Sequence, residues 1–204
     1  MKTILCYGDS NTWGYDAESD SRIPWDKRYP GILSRKLGAA YHVIEDGLCG
    51  RTTHYDSEEE LFVNGLKGAR LCAEIHSPLD YVVLMLGTND CKDVYRAQIR
   101  EIQEGARQIG HCFAQKGAQI LLMAPPVMRY LKKSPFFKEF GEGAGQKSSL
   151  LSAAYQELSR QEGWLFLNAD DVVRPGEYDW IHLDEEGHRI LAEKIYEILK
   201  KEED

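Results

Sequence analysis

The sequence predicts an α/β protein, a three-layer α/β/α sandwich built on a five-stranded parallel sheet. Three observations predict it. Short apolar runs alternate with helical patterns five times, the order expected of a parallel sheet with right-handed crossovers. The most apolar run, Asp80-Tyr81-Val82-Val83-Leu84-Met85-Leu86, has no polar face, as a central strand covered on both sides requires. Polar residues capable of chemistry collect just past the ends of the apolar runs, where open parallel sheets bind ligands. The chain has 204 residues and no break in composition, so it reads as one domain over residues 1–204.

The elements follow in order. Thr3 to Tyr7 is the first strand, stopped by Gly8, and the polar segment Gly8-Asp9-Ser10-Asn11-Thr12-Trp13-Gly14 follows it. Tyr15 to Tyr29 is irregular, with Tyr15, Trp25 and Tyr29 among charges. Pro30 opens a helix that runs to Leu37 and is closed by Gly38. Tyr41 to Glu45 is the second strand, and residues 46–53 are its exit loop. A helix over Asn64 to Ile75 places Leu66, Ala69, Leu71, Ala73 and Ile75 at helical spacings. The central strand ends in Gly87-Thr88-Asn89-Asp90, and a long helix follows from Val94 to Gln115. Ala118 to Met123 is the fourth strand, stopped by Pro125 and Pro126. A second irregular stretch, Val127 to Lys147, carries Phe136, Phe137 and Phe140. A helix from Ser149 to Glu162 leads to the fifth strand, Trp164 to Asn168. After a polar excursion, Asp184 caps a last helix with Leu191, Ile195, Ile198 and Leu199 facing inward.

Composition removes several classes of function. A net charge of −8 argues against nucleic acid or an anionic membrane as partner, since both need a basic face. No run reaches the length of a membrane span, and the N-terminus lacks the pattern of a signal peptide. None of the five cysteines forms a C-x-x-C pair; Cys6, Cys72 and Cys112 read as small apolar residues, and a reducing, cytoplasmic setting is expected. His42, His54, His76 and His111 are scattered without metal-ligand spacing, so no metal is expected. No G-x-G-x-x-G or P-loop is present, so no nucleotide cofactor is expected either.

What remains is a set of residues at matching strand exits whose types fit acyl transfer. Ser10 is a candidate nucleophile, and a serine hydroxyl needs an adjacent base. His182 has the right intrinsic basicity to take a proton and return it. Asp179, three residues earlier, is placed to accept from the histidine ring and fix its tautomer. The backbone N–H groups of Ser10 and Gly50 and the side-chain amide of Asn89 are candidate oxyanion donors. Each residue also has a bland role open to it. Asp9 and Ser10 suit a helix cap, Asn89 an Asx turn, and Gly50 a turn conformation. His188 lies four residues after Asp184, a spacing that suits a surface contact on the last helix. Cys49 lacks an evident base and reads as a plain loop thiol.

The blocks Gly8-Asp9-Ser10, Gly50, Gly87-Thr88-Asn89-Asp90 and Asp179-Trp180-Ile181-His182, in that order, resemble those of the GDSL or SGNH hydrolases over nearly the whole chain. The resemblance implies a flavodoxin-like SGNH hydrolase fold, a nucleophilic Ser10, an oxyanion site from Ser10, Gly50 and Asn89, and Asp179 and His182 as the remaining catalytic pair. Two positions depart from the family pattern: Asn11 stands where leucine is frequent, and Cys49 adjoins the oxyanion glycine. The longer blocks Gly8 to Gly14 and Gly47 to Thr53 are similar to a subgroup of small arylesterases, acetylesterases and acyltransferases. That similarity implies short acyl esters as substrates, an acetylated sugar among them, and a homo-oligomer. Acyl transfer to an alcohol, or ester or carbohydrate binding without turnover, are the alternatives the same fold allows.

Overall fold

A computed structural model describes residues 1–58 and 61–202. In chain order the elements are β1 (Lys2–Gly8), α1 (Ser10–Trp13), β2 (Tyr15–Asp16), β3 (Ser21–Arg22), α2 (Tyr29–Leu37), β4 (Tyr41–Gly47), α3 (Gly65–His76), β5 (Tyr81–Met85), α4 (Ile99–Ala114), β6 (Gln119–Ala124), α5 (Phe137–Phe140), α6 (Ala144–Glu162), β7 (Leu165–Asn168) and α7 (Glu185–Lys201). Five strands form one parallel sheet in the order β4-β1-β5-β6-β7, and β2 and β3 form a small antiparallel ribbon beside it.

Side-chain alternation along the strands splits the core in two. Leu5, Tyr7, Val82, Leu84, Ile120 and Leu122 pack under α3, α4 and α6. Ile4, Cys6, Val83, Met85, Leu121 and Met123 pack under α2 and α7. β5 is buried along its whole length, as its unbroken apolar run requires. All five strands run the same way, so the exits of β1, β4 and β5 share one edge of the sheet.

Several boundaries move from their sequence positions. The helix expected from Val94 begins at Ile99, because 3₁₀ turns at Asn89–Cys91 and Asp93–Tyr95 and a left-handed Arg96 occupy the intervening residues. Gln98 and Glu101 then form a capping box that starts the helix there. The helix expected from Ser149 begins five residues earlier, at Ala144. It includes Gly145, where a Cβ would lie 2.8 Å from the Met128 carbonyl oxygen. The segment Tyr15 to Tyr29, read as irregular, holds the β2–β3 ribbon. On α3 only part of the apolar pattern faces inward: Ala69 and Ala73 are buried, whereas Leu71 and Ile75 are 62% and 61% exposed. Among the described residues no helix is long and apolar enough to cross a membrane.

Candidate active site

β1 ends where a side chain has no room. A Cβ on Gly8 would lie 2.0 Å from Thr12 Oγ1 and 2.8 Å from the Met85 carbonyl oxygen. The chain passes at once into α1, with Asp9 as N-cap accepting the Asn11 N–H at 3.0 Å. Asp9 therefore takes the capping role, and Ser10 is left with its hydroxyl at the sheet edge. Burial pushes the Asp9 carboxyl up to about 6, against the opposing pull of the Asn11 N–H and nearby His182.

The loop before α7 brings the other two groups to Ser10. Asp179 Oδ1 accepts the N–H groups of Ile181 and His182, each at 2.9 Å, while Oδ2 is in short contact with His182 Nδ1. Trp180 makes this turn possible by adopting a left-handed conformation, φ 64°, that an L-residue enters at a cost of roughly 1–2 kcal/mol. With Asp179 as acceptor, the imidazole proton sits on Nδ1, and Nε2 is the acceptor for the Ser10 hydroxyl at 2.8 Å. Burial would raise the Asp179 carboxyl, but its bonds to His182 and to the two N–H groups hold it below the usual carboxylate range. The Tyr15 and Phe136 rings stand edge-on to His182, with centroids 4.8 Å and 5.9 Å away.

Gly50 and Asn89 face the same pocket as Ser10. Gly50 has φ 78°, a conformation for which glycine is suited. Asn89 makes no Asx turn: its Nδ2 donates to the Arg51 carbonyl at 3.1 Å, which spends one amide proton and leaves the second for a ligand. The next residue, Asp90, is buried and accepts the N–H and hydroxyl of Thr53, tying the exit of β5 to the loop that carries Gly50. Arg51 locks that loop from below. Its guanidinium donates to the carbonyls of Gly8 and Asp46 at 3.0 Å and 2.6 Å and to Asp46 Oδ1 at 2.7 Å, and lies 4.1 Å from the Tyr7 ring centroid.

The pocket in front of Ser10 has a volume of about 300 Å³, with Tyr15, Leu61, Val63, Phe136 and Phe140 as apolar walls. Lys92 and Glu139, paired at 3.3 Å, also line it. A wider depression of about 660 Å³ between α2 and α7 is lined by Asp26, Lys27, Arg35, Glu185 and Arg189 and holds neither a serine nor a histidine. No hydroxyl–imidazole pair lines it, so the smaller pocket is the candidate site.

The structure thus brings Ser10, Gly50, Asn89, Asp179 and His182 to one place. It moves His188 to another. This residue is not in a surface contact with Asp184. It is fully buried, its ring stacked on Tyr29 at 6.1 Å, its Nδ1 accepting the Tyr29 N–H at 3.3 Å. Burial first, then the charge of Arg28, depresses its pKa to about 3. Sequence reasoning missed Asn11 as a site residue. Its Oδ1 accepts the Leu183 N–H at 2.9 Å and its Nδ2 donates to the Ile181 carbonyl at 3.3 Å, bracketing His182. The signal was present: Asn11 is the position that departs from the leucine frequent in the resembling family.

A carboxylate, an imidazole and a hydroxyl in series form the arrangement that serine hydrolases use on several unrelated folds. The chain belongs to the GDSL-like lipase/acylhydrolase family, whose model matches residues 6–190. Among solved structures it is similar to Est24, a carbohydrate acetylesterase from Sinorhizobium meliloti, with 31% identity and a TM-score of 0.92, covering 98% of this chain and 99% of that one. It is also similar to the native aryl esterase of M. smegmatis, with 32% identity, a TM-score of 0.91, and the same coverage of 98% and 99%. A lipolytic G-D-S-L family protein from Veillonella parvula, 15% identical with a TM-score of 0.73 over 98% and 99% of the chains, shares the fold. No curated protein matches the chain.

Proposed function

We propose that this chain is a serine ester hydrolase for short acyl esters, acetyl esters foremost, working through an acyl-enzyme on Ser10. The observation that carries the reading is the series Asp179–His182–Ser10 at the mouth of a 300 Å³ pocket. Ser10 Oγ attacks the ester carbonyl as its proton passes to His182 Nε2, and Asp179 stabilises the imidazolium. Negative charge on the carbonyl oxygen is met by the N–H groups of Ser10 and Gly50 and by the second amide proton of Asn89. Collapse breaks the ester C–O bond, and the alcohol leaves with the proton from Nε2. Water then enters; His182 takes its proton as the oxygen attacks the acyl carbon, and the acid departs as Ser10 recovers its hydrogen. The small, apolar-walled pocket favours a short acyl group. The carbohydrate acetylesterase and aryl esterase among the similar structures support acetylated sugars and aryl acetates as the esters to try first.

A panel of nitrophenyl esters of rising chain length, together with acetylated sugars, tests this. The expected outcome is a kcat/KM highest for acetate and falling with length, and no turnover by a folded Ser10→Ala protein. Near wild-type turnover by Ser10→Ala in a clean preparation overturns it.

A further inference from the structure

Away from the ester pocket, among the described residues, one group of side chains has the chemistry and spacing to hold a metal ion: Asp46, Cys72 and His76. Cys72 and His76 are one turn apart on α3, so both project from the same face of the helix. Asp46 comes from the end of β4 and faces them. A carboxylate oxygen, the Cys72 Sγ and an imidazole nitrogen all lie within 4.8 Å of one another. All three residues are half-buried, which leaves room for a water in a fourth position.

The sequence hid this group in two ways. Cys72 reads as a small apolar residue in a helical pattern, and His76 has no other histidine near it. The fold adds a polar role to each. Cys72 packs against the core as that reading expects, and its thiol also donates to Asp46 Oδ2 at 2.8 Å. Asp46 in turn is fixed through its other oxygen, which accepts from Arg51 at 2.7 Å. One carboxylate oxygen is thus held by an arginine while the other is turned toward a thiol and an imidazole. Metal-binding carboxylates are oriented by outer partners in this manner.

We infer that Asp46, Cys72 and His76 form a binding site for a divalent cation of the zinc class. The donor set decides the class. Thiolate and imidazole are poor ligands for magnesium or calcium, and suit zinc and cobalt. A tetrahedral centre with bonds of about 2.0–2.3 Å sets its ligand atoms roughly 3.4 Å apart, so the present spacing closes on an ion by side-chain rotation. Binding breaks the Cys72 S–H bond and forms a sulfur–metal bond, and the proton leaves to solvent. Asp46 Oδ2 gives up the thiol as donor and accepts the cation instead. One thiolate and one carboxylate then face the two charges of the ion together with the Arg51 guanidinium, which leaves one positive charge over, with neutral His76 as third ligand and water as fourth.

Titration with Co²⁺ tests the site, because thiolate ligation gives a charge-transfer band in the near ultraviolet and tetrahedral geometry an intense visible one. The expected result is saturation at one ion per chain, with the bands removed by an equivalent of Zn²⁺. Cys72→Ser should abolish the charge-transfer band, and His76→Gln should weaken binding at least tenfold. Both side chains are partly exposed on α3, so these variants keep the fold, which circular dichroism confirms. Cys49 is the control, since its thiol is exposed. A band that survives in Cys72→Ser and vanishes in Cys49→Ser overturns the assignment. Equal binding in His76→Gln, or no saturable binding by the wild-type protein, also overturns it.

Discussion

Asn11 Oδ1 accepts the backbone N–H of Leu183 at 2.9 Å across 172 residues of chain. With the Asn11 amide on the Ile181 carbonyl, the serine segment holds both flanks of the residue that would activate it. Leucine is similar in size and leaves both buried backbone groups unpaired, at a cost of about 1–3 kcal/mol each. Asn11→Leu should therefore lower the melting temperature and lower kcat by more than it raises KM. Asn11→Asp keeps the acceptor for Leu183 and should recover part of the loss. A fully active, equally stable Asn11→Leu protein removes Asn11 from any positioning role.

Asn89 offers a sharper test of the oxyanion site. A donor that strengthens as charge develops acts on the transition state more than on the bound ester. Asn89→Ala should lose on the order of 10²–10³ in kcat with a smaller change in KM. Asn89→Asp puts an acceptor and a charge against the oxyanion, and a folded but nearly inactive protein is expected. Full activity in Asn89→Asp sinks the assignment.

His182 and His188 should fail differently. His182→Ala removes the acceptor of the Ser10 proton and should cost on the order of 10⁴-fold or more in kcat, with the fold intact. His188→Ala opens a buried site against Tyr29 and should lower stability while the folded fraction turns over normally. Steady-state rates read beside thermal melts separate the two. Equal catalytic losses with unchanged melts would contradict the geometry.

The same buried histidine makes stability depend on pH. An unfolded histidine titrates near about 6.5, whereas His188 in the folded chain is held at about 3. Between these values the unfolded chain binds a proton that the folded chain refuses, so stability falls as pH drops. Asp9 works in the opposite sense. Its folded carboxyl titrates at about 6, above the unfolded value, so it contributes stability below the unfolded pKa and that contribution is lost as pH rises through about 6. Urea midpoints of His188→Gln should decline less than those of wild type from neutral pH toward about pH 4. Asp9→Asn should gain on wild type above about pH 6. Parallel curves for all three proteins would assign the acid sensitivity elsewhere.

Exposed apolar residues bear on assembly. Leu71 and Ile75 share one exposed face of α3, and Leu61, Phe62 and Val94 are also largely exposed. Exposed apolar side chains side by side on one helix face, as Leu71 and Ile75 are, suit an interaction surface, and we propose a homo-oligomer. Light scattering should return a multiple of the chain mass. Leu71→Lys paired with Ile75→Glu should reduce it if α3 is the contact. A single chain mass at working concentration counts against the oligomer.

Much of this architecture was legible in the sequence because it rests on local rules. The alternation of apolar runs and helical periods gives the parallel sheet, and the glycines and polar residues after β1, β4 and β5 locate its reactive edge. What the sequence concealed depends on distant contacts. Arg51 lies in the block Gly47 to Thr53 with no role readable from its spacing, and only the fold sets its guanidinium between Asp46 and the Gly8 carbonyl. His188 has the same spacing from Asp184 as a surface pair, and only the packing of α2 against α7 shows it to be interior. The start of α4 lies later than expected because a 3₁₀ turn at Asp93–Tyr95 and a left-handed Arg96 occupy the residues before it, and neither has a local signature.

The bond from Ser10 to His182 also orders events during synthesis. A ribosome that has delivered β1 through β7 has supplied every strand of the sheet and both proposed oxyanion groups that follow Ser10, Gly50 and Asn89, yet not His182, the partner of the serine hydroxyl. The residues that close the site, from Asp179 to Leu183, arrive after the last strand and must settle against a segment made among the first. Under the proposed mechanism, a nascent chain that stops short of Asp179 has a serine hydroxyl with no base to take its proton, and turnover waits on the segment from Asp179 to Leu183.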